Sequence, residues 1–575
     1  MENREAIPHM ENSDKRIMHP FDDGSLRDLH TLSQKEILDR ILAHPAPRRL
    51  IQGLPCEDLF WLVKKVGEEG YLQLLRLATA EQWQYILDLE LWHKDRMDMA
   101  AASLWLGRLQ SAAPGRLTEW LLTDGRALAY YYLSRNIEVE VRDPDDTDDL
   151  DEGFMTLDSL FYVKVKDPER KKTIENILRS VADSDLGKYR SLLSSLGAVL
   201  PAEMEEDMYR LKNVRLAEHG FLPMEEALIV YAPLDPRELN PQVPGQRLDV
   251  EADENLRDMA PHALLSLVED ESLLGTSLSM IHEDPIADRI RLEFAGLCNQ
   301  VLSADNLAVN DLEVLRKTCR KSAGYLNLIL EKRCGTDIKA AETLLRNNAL
   351  VSLFRAGFGI AQRLKWEAEG WIEESWFRQM GFGLDFWGEE WARILAGLTA
   401  KRPLYYQGWA SEDTYRDFEH IFDVNAANEV LQRVKSLDIL LARLTYRYPL
   451  NTEEKERTGL TFHPLLFTFW ARRILQLPLS FESIFLNQAK IFFRFLRGGA
   501  ERPPYRMLGF EEVFIKDIMD AANGLATSVT VVLKETLSLI WQAFCQEYEK
   551  VPLLSLDPRY STYLRIRSSL RSPAR

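Results

Sequence analysis

Two stretches of this chain constrain its fold more than anything else in it. Leu54-Pro55-Cys56-Glu57-Asp58-Leu59-Phe60-Trp61-Leu62-Val63 and Thr79-Ala80-Glu81-Gln82-Trp83-Gln84-Tyr85-Ile86-Leu87 both open with residues that start helices and continue with apolar residues at helical spacing. Laid over one another they pair Glu57 with Glu81, Leu59 with Trp83, Trp61 with Tyr85, Leu62 with Ile86 and Val63 with Leu87. A helix with one apolar stripe must bury that stripe against a neighbour. Consecutive helices of similar pattern therefore stack, and the reading is a degenerate helical repeat. Such arrays make surfaces more often than reaction centres, so Glu57, Asp58, Glu81 and Gln82 are the candidate interaction surface.

Local signals set the helix ends. Ser33 and Thr31 are capping candidates for a helix that runs to His44, ahead of Pro45 and Pro47. Pro55 and Pro201 suit a first helical position, where the missing N–H costs nothing. Thr79 with Gln82 spells a capping box. Leu104, Leu106 and Leu109 carry a third helix, and Leu117, Trp120 and Leu121 a fourth. Strand signals are confined to Ile137–Val141 and Phe161–Val165, where apolar and polar residues alternate. Ile174, Ile177, Leu178 and Val181 then resume the helical period.

These signals predict a mainly α, multi-domain helical protein with a superhelical, repeat-like N-terminal part and a small β-hairpin insertion. The expected parts are a flexible tail (1–30), a helical repeat-like domain (31–135), a β-hairpin with an acidic connector (136–166) and a helical segment (167–231). A Pro-rich linker (232–253), a helical domain with a Trp-rich belt (254–450), a linker (451–459), a C-terminal helical unit (460–550) and a basic tail (551–575) complete the chain. A length of 575 residues is too much for one ordinary core.

Composition excludes some functions. The formal charge of -18 argues against nucleic-acid binding through the general surface, because phosphate is met by clustered Lys and Arg. No secretory signal opens the sequence, and the longest largely apolar run, Ala521 to Leu533, falls short of the roughly 20 residues that span a bilayer. The five cysteines are scattered, without a CxxC pair, which points to free thiols in a reducing cytoplasm.

Signatures of catalysis are missing from the sequence. There is no phosphate-binding GKS or GKT, no GxGxxG after a strand, no HExxH and no GxSxG. The acidic run from Asp143 fails as a calcium loop, since its sixth position is Asp148 and its twelfth is Phe154. Asp417, His420 and Asp423 share a helix face, but no second Glu-x-x-His copy supplies the remaining ligands of a di-metal site. A structural polar face is the better reading. The belt from Trp366 to Trp409 is the candidate small-molecule pocket, with Trp366, Trp387, Glu389, Glu390, Trp391 and Arg393 as its residues. An aromatic core where helices dock competes with it.

At Leu54–Leu59 and Thr79–Trp83 the chain resembles the helical N-terminal domain of bacterial magnesium transporters, in which short Leu-Pro-x-Glu-Asp helices stack into a superhelix. That resemblance implies stacking and carries over neither transport nor a magnesium ligand. Over most of its length the chain also resembles an uncharacterised bacterial family, a domain of unknown function. The residues concerned are Arg215–Phe221, Leu353–Phe358 and Leu398–Tyr406. This second resemblance implies a bacterial, cytosolic, helical protein and no mechanism. The sequence thus leads to a noncatalytic cytoplasmic interaction protein with a protein partner, no cofactor and no metal. The alternative is an enzyme or small-molecule sensor built on the belt.

Overall fold

Capping chemistry fixes where the N-terminal helices begin. The computed structural model describes residues 32–142, 152–198, 200–239, 261, 264–265, 268, 271–281, 284–308, 312–408, 414–450, 460–498 and 502–567. Expectations for the tail 1–30, the acidic residues 143–151, the Pro-rich stretch beyond 239, Trp409, the linker 451–459 and the residues after 567 lie outside these. Helix α1 (Gln34–Leu42) starts on a Ser33/Glu36 capping box. Helix α2 (Pro47–Gln52) has proline at its first position, and α3 (Cys56–Val66) begins one residue later than Pro55, which serves as its cap. After α4 (Glu68–Leu77) comes α5 (Ala80–Glu90). Its Thr79/Gln82 box is complete: the Gln82 N–H donates to Thr79 Oγ1 at 3.1 Å and the Thr79 N–H to Gln82 Oε1 at 2.9 Å.

The Gln82 side chain also ties two helices together. Its Nε2 donates to the carbonyls of Ile51 (2.9 Å) and Leu54 (2.7 Å), which close the end of α2. All four aligned apolar pairs of α3 and α5, from Leu59/Trp83 to Val63/Leu87, are buried. They join one apolar core with α6 (Met99–Ala112), α7 (Pro114–Leu122) and α8 (Arg126–Asn136). The turn before α6 is a two-residue hairpin, β1 (Trp92–His93) with β2 (Arg96–Met97). Of the leucines expected to carry α6, Leu106 and Leu109 are buried while Leu104 faces solvent.

A small sheet follows. Strand β3 (Ile137–Val141) pairs antiparallel with β5 (Phe161–Val165), Ile137 opposite Val165, and β4 (Phe154–Thr156) adds to the other edge of β5. Helices α9 (Lys171–Ser184), α10 (Leu186–Leu196) and α11 (Pro201–Glu218) come next. The four apolar residues of α9 at helical spacing are its buried ones. Short helical turns at Met224–Ala227 and Leu228–Tyr231 lead to longer helices over Leu273–Ser279, Asp284–Asp305, Leu312–Cys334 and Ile338–Asn347.

The chain divides into two compact units, residues 1–356 and 357–575, and the division falls inside the helix Leu350–Glu374. The described part of the Pro-rich stretch belongs to the first unit. The second is built from helices over Glu389–Leu398, Ile421–Arg447, Phe462–Ile474, Leu486–Leu496, Glu511–Ala522 and Thr527–Tyr548. Of the expected basic tail, the described residues up to 567 are tied to this unit. Ile566 pairs in parallel with Ile484, and the buried Arg565 donates to Phe481 O at 2.8 Å through Nη1 and to Thr468 Oγ1 at 2.8 Å through its backbone N–H. Among the described residues no helix is long and apolar enough to cross a membrane.

Because Gln82 serves a cap and a tie at once, Gln82→Leu keeps the volume, strands the Leu54 carbonyl and the Thr79 N–H, and leaves the Ile51 carbonyl only the Leu54 N–H. Urea unfolding of this variant should show a loss of about 2–3 kcal/mol, the cost of leaving buried polar groups unpaired. A change within about 0.5 kcal/mol, typical of a neutral surface substitution, would refute the tie.

Candidate functional site

The site forms where α11 comes back to the first helices. Two charged pairs hold its C-terminal end there. Arg215 meets Asp88 of α5 in a fork, Nε to Oδ2 at 2.7 Å and Nη2 to Oδ1 at 2.8 Å. His219 Nδ1 lies 2.7 Å from Glu57 Oε1 of α3. The chain then turns at Gly220, whose φ of +85° favours glycine, and a Cβ there would stand 2.8 Å from the carbonyl oxygen of Gly296. Asn299 secures the turn by donating to His219 O at 2.7 Å. Sequence spacing alone holds no hint of these partners.

Beside the pairs lies a cavity of about 370 Å³, lined by residues of α3, α5, α7 and α11. A smaller one of about 90 Å³ shares Gln84, Asp88, Asp124 and Arg215 with it. One wall is the Trp120 ring, set by Gly125: a Cβ at that position would come within 2.4 Å of the ring. Glu81, Asp124 and Glu218 reach the cavity with exposed side chains that make no hydrogen bond or ion pair among the described residues. Tyr85 lines it too. That ring is 5% exposed, packs edge-on to His219 at 4.6 Å, and leaves its hydroxyl without a hydrogen-bond partner among the described residues.

The electrostatics of the cleft run one way. Burial, then the charges of Glu57 and Glu81, pushes the Cys56 thiol up to about 12. Burial and nearby carboxylates, Glu57 first, raise the Tyr85 hydroxyl well above its usual range. For His219 burial works downward, but the Glu57 hydrogen bond and the charges of Glu57, Glu218 and Glu81 outweigh it and raise the imidazole. A thiol held at about 12 keeps its proton near neutrality, which disfavours the thiolate a nucleophile needs. Burial lowers Lys212 to about 8 despite Asp88, but its ammonium sits over the rings of Trp92 and Tyr209 and does not line the main cavity. The arrangement can hold a ligand. It assembles no nucleophile with its base.

The structure distributes the expected site residues unevenly. Of the candidate surface residues only Glu81 is exposed; Glu57, Asp58 and Gln82 are buried, Glu57 on His219 and Gln82 on the α2 carbonyls. Of the four expected residues, then, Glu81 alone faces solvent, and distant partners hold Glu57 and Gln82. Of the belt, Trp387 is enclosed by Trp371, Phe377, Phe386 and Phe462, and Trp391 stacks on Phe462 at 5.5 Å. Trp366, Glu389, Glu390 and Arg393 are exposed. Asp423 accepts the Arg416 fork at 2.7 and 2.8 Å and the N–H groups of Glu419 and His420, which makes it a helix-start anchor. Among the described residues no group of three or more His, Cys, Asp or Glu is placed to hold a metal ion.

A larger depression of about 820 Å³ lies in the second unit, and three of the charged side chains that line it serve to hold the fold. Asp438 takes the N–H groups of Trp376 and Phe377, Arg443 donates to Asn523 O, and Arg447 to Ala521 O. The cleft in the first unit is the better candidate.

The His219–Glu57 pair gives a pH dependence with a definite sign. A histidine raised above its unfolded value of about 6.5 contributes stability that is complete below that pH and is lost as pH rises through the folded value. Urea unfolding of the protein across that window should show stability falling with rising pH, and His219→Gln should flatten that fall. An unchanged slope in the variant would assign it to other groups.

No curated protein and no solved structure matches the chain. A family model does match, over residues 20–567, and the stretch it covers includes the cleft and most of both units. The chain therefore belongs to the family of unknown function DUF6178.

Proposed function

We propose that this protein is a noncatalytic interaction protein of the bacterial cytoplasm, in which a helical-repeat array holds a protein partner at the cleft between α5 and α11. One observation carries the reading. The inner charges of the cleft are consumed in pairs, whereas Glu81, Asp124 and Glu218 at the cavity are uncommitted. Polar groups that already have partners hold a site rigid, and those without them are left for a ligand. The raised Cys56 thiol and the lack of a nucleophile–base pair in the cavity favour binding over reaction. The rival reading, an enzyme or sensor built on the belt, draws on rings that spend their faces on one another.

The double variant Glu81→Lys, Asp124→Lys tests the proposal. Both side chains are exposed, so thermal unfolding should stay within about 0.5 kcal/mol of the parent. Affinity purification from the native cells, with mass spectrometry of what is retained, should show the stoichiometric partner lost. The same reversal at Glu535, an exposed residue of the second unit, should keep it. Retention by the cleft variant, or its unfolding, would remove the support for this surface.

A further inference from the structure

We infer that the cleft receives a basic side chain, presented by a peptide segment of the partner; this rests on the interaction reading above and names its chemistry. Count the charges that reach the cavity. Arg215 pairs with Asp88 and His219 with Glu57, which leaves three carboxylates (Glu81, Asp124 and Glu218) that make no hydrogen bond or ion pair among the described residues. An anion would enter beside those three carboxylates, while the charges of Arg215 and His219 already face Asp88 and Glu57. A neutral apolar group would strip water from those carboxylates and return nothing.

Two further features point to a cation. The cavity offers aromatic walls, Tyr85 and Trp120, of the kind that cover the methylene stem of Lys or Arg and attract its charged end. The Tyr85 hydroxyl, on a ring 5% exposed, has no hydrogen-bond partner among the described residues and can accept a hydrogen bond from an ammonium or guanidinium. The volume of about 370 Å³ lies at the small end of ligand sites, enough for one long side chain with its flanking backbone.

The test uses the whole protein and two tripeptides, acetyl-alanyl-lysyl-alanyl-amide and its norleucine analogue, which has the same stem without the charge. Calorimetric titration should show the lysine peptide bound at least about tenfold tighter, the worth of one charge-assisted hydrogen bond. Glu81→Gln with Glu218→Gln should weaken the lysine peptide by about tenfold or more, and Tyr85→Phe by several-fold with the ring packing kept. Glu512→Gln with Glu535→Gln, the same loss of charge in the second unit, should leave it unchanged. Equal weakening by that distant pair would overturn the inference, since the general acidity of the chain would then explain the binding. If the norleucine peptide binds equally well and is lost on the cleft substitutions, the cleft stands as a binding site and the basic side chain is refuted. If neither peptide binds and Glu81→Lys, Asp124→Lys keeps the cellular partner, both readings fall together.

Discussion

The first unit depends on how the end of α11 docks. Asp88 and Glu57 are 4% and 9% exposed, and each is answered from that end, by Arg215 and His219. A buried carboxylate without its partner is an uncompensated charge, which costs about 3–5 kcal/mol when one member of such a pair is removed. Both bonds join residues far apart in the chain, so neither α3 nor α5 can fold locally with its polar groups satisfied. The helices at the start of the chain are finished by a helix that arrives much later.

This dependence explains what the sequence showed and what it hid. Helix starts were legible because caps are local: Thr79 and Gln82 sit three apart and need nothing else to recognise one another. The strands at 137–141 and 161–165 were legible because alternation is local too, while the register that sets Ile137 opposite Val165 was not. The third strand, Phe154–Thr156, has only three residues of pattern and adds to an edge that the other two create. The docking of Arg565 and Ile566 was equally out of reach, since a run of arginines reads as a solvated tail until Phe481, Thr468 and Ile484 are brought beside it.

The site was half legible. Sequence reasoning picked out the right helix starts, and the segment Arg215–Phe221 drew notice through its family resemblance. Nothing in the spacing joined the two. Their link is two side-chain contacts, and single-sequence patterns report periodicity along the chain, not which distant carboxylate an arginine will meet. The aromatic belt shows the converse. Dense Trp and Phe mark cores and pockets alike, and only the ring contacts show that Trp387 spends its surface on other rings.

Glu57 and Glu81 sharpen the point, because they occupy matching positions at the starts of α3 and α5. Both stand in the first turn, where a carboxylate is favoured by the helix dipole. Yet Glu57 is buried against His219, and Glu81 faces the cavity without an ion pair. The dipole argument gives the same residue type at both places and cannot tell them apart. What separates them is that His219, the residue after α11, hydrogen-bonds one carboxylate and not the other. A pattern that repeats along the sequence thus becomes asymmetric when a non-repeating helix packs on it, and the carboxylate left over is the one with no ion pair among the described residues.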